Sequence, residues 1–393
     1  MPLYERNWYR IFSCLLAMLA GIGLVRYSYS PLIPSMLDHH WITAPEAGYL
    51  GTVNFVGNLV GALFCAALAR RFTAGRICRV AMLVGLLSVT CSGLDIGFAW
   101  LAGCRFLAGL TAAGVMILAP VIAVSGVRES ERGTAIGSVF IGAGIGVIGL
   151  SLLLPNYITD GPSGGWFFTA ALVLGCIVLS WAGLSPGIKT DQPMAEDDVV
   201  STSPGILWVF LLAYLFAAIG IVPHSIYLSA YVHQVLDQPV AFSTMVYAIY
   251  GAGVLTGGPL FGHLARWTGT RFALALSILT GLLAVAIVLW TDSLWFVVAS
   301  GAVLGTAQMG IASCTSHLAM ELVGPGRHTQ YWGRLTIGFN LGQAAGALAM
   351  GAMIHVHWGY LAGFWMAAGC LLLSAVLTLF VRRTTRSAIG TAP

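Results

Sequence analysis

The chain has 393 residues, of which 58% are hydrophobic and only 8% are charged, whereas about 25% are charged in an ordinary soluble domain. This composition excludes a soluble globular fold of this length, because too few polar groups are present to cover its surface. The formal net charge of +4 comes from basic residues in short loops between apolar runs. It therefore does not indicate the one-sided basic face of a nucleic-acid-binding protein, and we expect no nucleic-acid partner.

Twelve apolar runs are long enough to cross a bilayer, which takes about 20 helical residues. In chain order they cover residues 9–36, 46–69, 77–94, 97–126, 133–156, 165–185, 205–232, 241–264, 271–290, 293–321, 329–354 and 358–381. The first run is too long for the apolar core of a signal peptide and lacks a cleavage site after it, so we interpret it as a membrane span. The sequence thus predicts an all-α membrane protein with twelve transmembrane helices, called spans 1 to 12 below.

The basic residues predict how the chain is oriented. Apart from Arg26, Arg105 and Arg334, every Lys and Arg lies in a terminal segment or in a loop on the same side as the termini. Because basic loops remain in the cytoplasm, both termini are predicted to be cytoplasmic. We expect a multi-pass protein of the cytoplasmic (inner) membrane, surrounded by the lipid bilayer.

The longest loop divides the chain into two sets of six spans. Residues 186–204, PGIKTDQPMAEDDVVSTSP, are polar and acidic, contain three prolines and show no apolar helical stripe. We predict a cytoplasmic linker at 186–204, between an N-terminal six-helix bundle at 1–185 and a C-terminal six-helix bundle at 205–393.

The two sets of spans repeat the same short motifs. Leu68–Arg70 recurs 196 residues later as Leu264–Arg266, and Gly109 of span 4 recurs at this offset as Gly305 of span 10. Gly142 and Gly146 of span 5 have the spacing of Gly342 and Gly346 of span 11. A parallel repeat of six-helix halves is an architecture of membrane transporters, with the solute site between the halves near mid-membrane.

The chain resembles the major facilitator superfamily of transporters. ALARRFTAGR (67–76) and HLARWTGTR (263–271) are similar to its G-x-x-x-D-R-x-G-R-R signature, but an arginine stands where the acidic residue is usual in both copies. RYSYSPLIPSM (26–36) is similar to the R-F-A-Y-T-P-L-L-P-x-M segment of the YbfB/YjiJ-type branch. The resemblance implies two pseudo-repeat bundles that work by alternating access, and gating roles for Arg70, Arg76, Arg266 and Arg271.

Two arginines lie deep in predicted spans. Arg26 is about 24 Å along span 1 from its cytoplasmic end, and Arg105 enters span 4 from the other side to a similar depth. An arginine there costs at least about 2.5–3.5 kcal/mol on insertion, so it normally faces a cavity or a partner. Since the resemblance implies that spans 1 and 4 line a central cavity, we expect both guanidinium groups to bind a carboxylate or phosphate. The alternatives are that Arg26 snorkels or pairs with a carbonyl group, and that Arg105 holds span 4 to its neighbours.

His224 and Glu46 are candidates for proton coupling. Adding the repeat offset of 196 to residue 26 gives 222, which predicts His224 close to the equivalent of Arg26 in the second half. Histidine titrates near neutral pH, so His224 could bind substrate or carry a proton, although a structural histidine at a proline-bent helix is the alternative. Glu46 is the acidic residue nearest the membrane on the outer side.

Other polar or amphipathic side chains in apolar spans are further candidates for substrate binding, with helix-to-helix adhesion as the alternative. They are Tyr27, Tyr29, Asn54, Tyr227, Asn340 and Gln343. The sequence contains no phosphate loop for ATP, no catalytic motif and no cluster of Cys and His with metal-ligand spacing. We therefore expect no enzymatic activity, no cofactor and no metal ion, and a monomeric protein.

The acidic residues all lie at span ends or in loops, so the predicted cavity holds fixed positive charge without fixed negative charge. Such a cavity favours an anionic solute. The sequence thus predicts a secondary active transporter that moves a small organic anion by alternating access, either coupled to a proton or by anion exchange. One alternative is efflux of apolar or cationic drug-like compounds by the same fold. The other is a membrane receptor or scaffold that does not transport.

Overall fold

The computed structural model describes residues 7–69, 71–125, 127–128, 131–184, 202–356 and 359–381. The predicted gating residue Arg70 and all but the last three residues of the predicted linker at 186–204 lie outside this described part.

Twelve helices in the described residues are long and apolar enough to cross a membrane, which confirms the predicted number. Spans 1 to 12 are Asn7–Asp38, Ala44–Cys65, Ala74–Ser92, Phe98–Val124, Arg132–Tyr157, Pro162–Ser180, Pro204–Gln234, Val240–Thr268, Thr270–Trp290, Leu294–Val323, Gln330–His355 and Gly359–Phe380. The helix of span 2 continues to Leu68, and that of span 11 begins at Pro325. With an even number of spans, the start of span 1 and the end of span 12 lie on one side, which we call the terminal face; the other side is the opposite face.

Local sequence explains where the helices begin and end. Span 2 starts with a capping box, in which the Glu46 carboxylate accepts hydrogen bonds from the backbone N–H and the hydroxyl of Thr43 at 2.7 and 2.8 Å. Spans 8 and 9 are separated only by Gly269, whose φ of +86° is readily available to glycine. Tryptophans at span ends, such as Trp267 and Trp290, are 79% exposed. This is typical of aromatic side chains at a membrane interface.

The pairs of spans 2 and 4 and of spans 8 and 10 pack backbone to backbone in the same register. A Cβ atom added at Gly109 would lie 1.9 Å from the carbonyl oxygen of Asn54, and one at Gly305 would lie 2.2 Å from that of Tyr250. Both residues of the second contact are 196 positions after those of the first. The same offset relates Gly57 and Gly61 of span 2 to Gly253 and Gly257 of span 8. The helices can approach this closely only because glycine lacks a side chain.

A different offset relates spans 1 and 5 to spans 7 and 11. A Cβ atom at Gly142 would meet the carbonyl oxygen of Leu15 at 2.2 Å, and one at Gly342 would meet that of Leu215 at 2.5 Å, which is a shift of 200. This offset makes Ile226 the equivalent of Arg26. His224 lies two residues earlier and therefore points about 200° away around the helix axis. The offset of 196, which relates spans 2 and 4 to spans 8 and 10, does not apply to span 7. It would pair Arg26 with residue 222 instead of Ile226.

Candidate solute-binding site

Span 1 changes its helical register immediately before Arg26. Residues Leu19–Arg26 form a π-helix between α-helical segments, and the N–H of Tyr27 donates to the carbonyl oxygen of Ile22 at 3.1 Å. Pro31 has no N–H to donate to the carbonyl group four residues before it, so the hydrogen-bond ladder is interrupted in this region. Local π-helices are frequent at functional sites. Here the change of register ends at Arg26, whose side chain reaches the second half.

Arg26 contacts both halves of the molecule. Its guanidinium donates to Oε1 of Gln343 in span 11 at 3.0 Å and lies 5.4 Å from the centroid of the Phe55 ring in span 2. The side chain is half-buried, and the one ion pair among the described residues joins His233 to Asp38. Arg26 is thus a cation without a carboxylate partner, and a single neutral amide accepts from its five N–H donors in the described structure.

A polar network with aromatic walls lies beside Arg26. Gln308 of span 10 donates to the hydroxyl of Tyr27 at 2.9 Å and accepts from that of Tyr250 in span 8. The Tyr27 ring lies 6.1 Å from the Tyr250 ring and 6.4 Å from the Tyr247 ring, measured between centroids. The sequence analysis did not select Gln308, Tyr247 or Tyr250. A mid-span amide in span 10 and two tyrosines three residues apart on one face of span 8 are the signals that could have found them.

The halves meet above this site on the opposite face. The hydroxyl of Thr244 donates to the carbonyl oxygen of Pro31 at 2.9 Å, and that of Tyr227 donates to the carbonyl oxygen of Ala44 at 3.0 Å. In the described residues, every hydrogen bond between the halves lies at the level of Arg26 and Tyr27 or closer to the opposite face. These hydrogen bonds seal the two halves together on that face, and none among the described residues joins the halves nearer the terminal face.

Arg105 lies inside the first half and has no exposed surface. Its guanidinium donates to the Ser92 hydroxyl at 2.9 Å and to the carbonyl oxygen of Val25 at 3.4 Å, and it lies 4.6 Å from the centroid of the Trp166 ring. It thus joins spans 1, 3, 4 and 6 from behind Arg26. The expected pair of guanidinium groups in one cavity is not formed in this conformation, because the two side chains lie on different sides of span 1.

His224 is fully buried inside the second half. Its Nε2 atom lies 2.8 Å from the hydroxyl of Ser300 in span 10, and its ring packs edge-on against Phe364 of span 12 at 5.6 Å. Its Nδ1 atom has no hydrogen-bond partner in the described structure. His224 therefore does not face Arg26, in agreement with the register of span 7.

The remaining predicted residues differ in what they bind. Gln343 and Tyr27 belong to the network around Arg26, whereas the Tyr227 hydroxyl is part of the seal. Tyr29 and Asn54 hold helices together by donating to backbone carbonyl groups, Tyr29 to that of Ala47 at 2.9 Å and Asn54 to that of Arg105 at 2.9 Å. Asn340 donates to the carbonyl oxygen of Thr336 in its own helix at 3.0 Å. Glu46, the second proton-coupling candidate, is engaged in the cap of span 2.

Comparison with known proteins agrees with this architecture. The sequence model of the family described as "Uncharacterised MFS-type transporter YbfB" matches residues 18–379. The chain belongs to this family of the major facilitator superfamily. It is thus a multi-pass membrane transporter, as the spans and the repeat predict, and not an enzyme.

Individual relatives cover most of the chain. The inner membrane transport protein YdhP of Escherichia coli is 25% identical over 348 residues, which are 86% of this chain and 87% of YdhP. A chloramphenicol resistance protein of Streptomyces lividans is 25% identical over 385 residues, 93% and 94% of the two chains. The sialic acid transporter NanX of Escherichia coli is 25% identical over 254 residues, 61% and 60% of the two chains. The solved structure of the nucleoside transporter NupG has the same fold, with a TM-score of 0.78 at 12% identity over 95% of this chain and 99% of that one.

The arginines of this transporter's signature loops lie at the terminal face. Arg76 and Arg266 are exposed and Arg271 is half-buried, and none has an ion-pair partner in the part of the chain that the structure describes. Arg266 lines a groove of about 640 Å3 between spans 8 and 10, together with His263, His317 and Glu321. Glu321 accepts a hydrogen bond from the hydroxyl of Thr270 at the start of span 9.

Proposed function

We propose that this transporter carries a small organic anion by alternating access, with Arg26 as the residue that binds the carboxylate or phosphate of the solute. The observation that supports this most directly is the unpaired charge of Arg26 at the interface of the halves. A charged group in a site of low dielectric constant binds an opposite charge strongly. A guanidinium also offers two parallel N–H donors that match a carboxylate or phosphate.

Arg105 adds to the preference for negative charge without touching the solute in this conformation. It is buried behind span 1, where its guanidinium binds the carbonyl oxygen of Val25, the neighbour of Arg26. Its positive charge therefore raises the potential at the site. We assign His224 a similar supporting role, in which it holds span 7 against span 10 through Ser300.

The aromatic walls determine what else the anion carries. The Arg26 guanidinium lies 5.7 Å from the centroid of the Tyr27 ring and 5.4 Å from that of the Phe55 ring, and the Tyr247 and Tyr250 rings lie beside Tyr27. Such rings bind planar or apolar groups, while the Gln308 and Gln343 amides bind hydroxyl or carbonyl groups. We therefore propose a solute with one acidic group on a ring or a short apolar body. The similarity to a transporter of sialic acid supports an acidic solute.

Efflux of apolar or cationic compounds is the second candidate, supported by the similarity to a chloramphenicol resistance protein. The ring faces around Tyr27 would suit an apolar compound. A cation, however, would have to approach Arg26, and no carboxylate lies within ion-pair distance of this site in the described residues. A receptor without transport is the third alternative, and measurement of flux in liposomes separates it from the first two.

Alternating access requires the terminal face to close when the opposite face opens. We propose that both termini are cytoplasmic, that residues 186–204 link bundles at 1–185 and 205–393, and that the protein works as a monomer. We also propose that Arg70 and Arg76 of the first loop and Arg266 and Arg271 of the second take part in closing this face. Coupling to a proton and exchange of one anion for another both fit an arginine that has no resident counter-ion.

A thermal-shift panel tests the proposed substrate class. Purified transporter is heated with monocarboxylates, dicarboxylates, phosphate esters, chloramphenicol and quaternary ammonium compounds. A ligand at 100 times its Kd stabilises the native state by about 2.7 kcal/mol, so we expect a rise in melting temperature with at least one class of anion. Stabilisation by the cationic compounds, or by chloramphenicol alone, would contradict the proposal.

A further inference from the structure

A histidine and a carboxylate join spans 1 and 7 at the opposite face. The Nε2 atom of His233 lies 2.7 Å from Oδ1 of Asp38, and its Nδ1 atom lies 2.8 Å from the carbonyl oxygen of Gln238. Span 1 belongs to the first half and span 7 to the second, so the pair bridges the two halves. It is the one ion pair in the described part of the chain.

The geometry of this pair specifies its protonation. Both ring nitrogens of His233 face oxygen atoms, a backbone carbonyl group and a carboxylate. A neutral imidazole carries a single N–H and can donate to only one of them. If Asp38 were ionised and the imidazole neutral, the unprotonated ring nitrogen would face an oxygen atom at less than 3 Å, and the two lone pairs would repel each other. The pair therefore carries one proton more than a neutral imidazole beside an ionised carboxylate.

We propose that Asp38 and His233 form a proton-binding latch that keeps the opposite face closed, and that loss of this proton favours opening on that face. The latch rests on the proposed alternating access, but not on the proposed anion. The proton comes from solvent at the opposite face, since the Asp38 side chain is 48% exposed and that of His233 is 16% exposed. By linkage, closure of this face and binding of the proton strengthen each other.

The sign of the pH dependence follows from the two partners. Imidazole titrates near neutral pH and a carboxyl group at a clearly lower pH. The latch is complete while the imidazole is protonated and the carboxyl group is ionised, and it weakens when a rise in pH removes the imidazole proton. Other titratable groups on the packed elements have no hydrogen bond to the pair in the described structure. They are His39 and His40 after span 1, Asp237 after span 7, Asp292 before span 10 and Tyr360 of span 12.

Spin-label distances across the opposite face test the latch without any ligand. Labels are attached to D160C in the first half and S293C in the second, both at exposed positions of this face. The half-buried Cys91 and Cys370 are first replaced by alanine, which leaves only buried native thiols. Distances are recorded by double electron–electron resonance in nanodiscs between about pH 5.5 and about pH 8.5, the range in which imidazole titrates.

We expect the ratio of closed to open molecules to fall about two- to five-fold as pH rises over this range, which is the size expected for a partly exposed ion pair. His233→Gln and Asp38→Asn should each remove this dependence. The matched control is His40→Asn, because His40 is exposed on the same face and its φ of +56° is tolerated by asparagine. This control should retain the dependence of the parent protein.

The same slope in His233→Gln as in the parent protein, or no slope in the parent protein, would overturn the latch. Gel filtration of each variant shows whether it remains folded. Because no solute is present, a flat profile would leave anion binding untouched. Failure of anion binding in the thermal-shift panel would likewise leave the latch untouched, so the two proposals fail separately.

Discussion

Replacement of Arg26 by glutamine is expected to raise the Kd of the bound anion about 30- to 150-fold. A hydrogen bond to a charged group contributes up to about 3 kcal/mol, and each 1.4 kcal/mol changes Kd about tenfold. Glutamine keeps a polar side chain beside Gln343 but removes the charge and the paired N–H donors of the guanidinium. The measurement is calorimetric titration of purified protein with the anion that gives the largest thermal shift.

Two variants make this result specific. Arg26→Lys retains the charge without the planar pair of donors, so an intermediate loss of about tenfold is expected. Arg334→Gln removes an exposed arginine from span 11, the helix that also carries Gln343, and should leave Kd within about twofold. Equal losses in Arg26→Gln and Arg334→Gln would mean that total charge, and not a bound guanidinium, attracts the anion.

Replacement of Gly109 by alanine is expected to destabilise the first half by about 1–3 kcal/mol, the usual cost of overpacking. The new Cβ atom would lie 1.9 Å from the carbonyl oxygen of Asn54, and a backbone atom moves away only if spans 2 and 4 separate. Gly305→Ala should have a similar effect in the second half, where the corresponding distance is 2.2 Å. Denaturation in detergent mixtures with increasing dodecyl sulfate measures both changes.

The chain offers a matched control for these glycines. Gly103 lies on the same helix as Gly109, but an added Cβ atom there would meet nothing within 4 Å. Gly103→Ala should therefore be neutral or slightly stabilising, because alanine favours a helix more than glycine does. If Gly109→Ala resisted dodecyl sulfate as well as Gly103→Ala, close packing of spans 2 and 4 would not contribute to stability.

Hydropathy was sufficient to predict the number of the spans and their approximate bounds. The sixth span, predicted at 165–185, is Pro162–Ser180, and the other spans begin and end within a few residues of the predicted bounds. A bilayer imposes a minimum length on each apolar helix, so the number of spans is read directly from the sequence. The family match confirms the resemblance inferred from the signature loops and from the segment that follows Arg26.

The site was predicted less completely, because hydropathy gives the depth of a residue but not its rotation about the helix axis. Arg26 and Arg105 were both expected deep in the membrane, yet Arg26 faces the second half and Arg105 faces the interior of the first. The π-helix that ends at Arg26 changes the hydrogen-bond register, and amino-acid composition does not predict such a change. His224 was placed from an offset that holds for spans 4 and 10 but not for spans 1 and 7.

Of the second half's residues at the site, the sequence analysis identified Gln343 but not Gln308, Tyr247 or Tyr250. Gln308 joins Tyr27 to Tyr250, and none of its neighbours in span 10 is charged. A lone mid-span amide usually links helices. Only the closure of the halves around Tyr27 shows that this amide lies at the interface.

The most direct test of the central claim is the uptake of a radiolabelled anion into proteoliposomes that are loaded with the same unlabelled anion and carry an inward proton gradient. The parent protein and Arg26→Gln are reconstituted at equal density and exposed to the anion that binds best in the thermal-shift panel. We expect uptake of the label with the parent protein and none above the empty-liposome background with Arg26→Gln. Equal uptake by both proteins would show that the Arg26 charge does not bind the transported solute. A response to quaternary ammonium compounds instead of the anion would contradict the account in the same way.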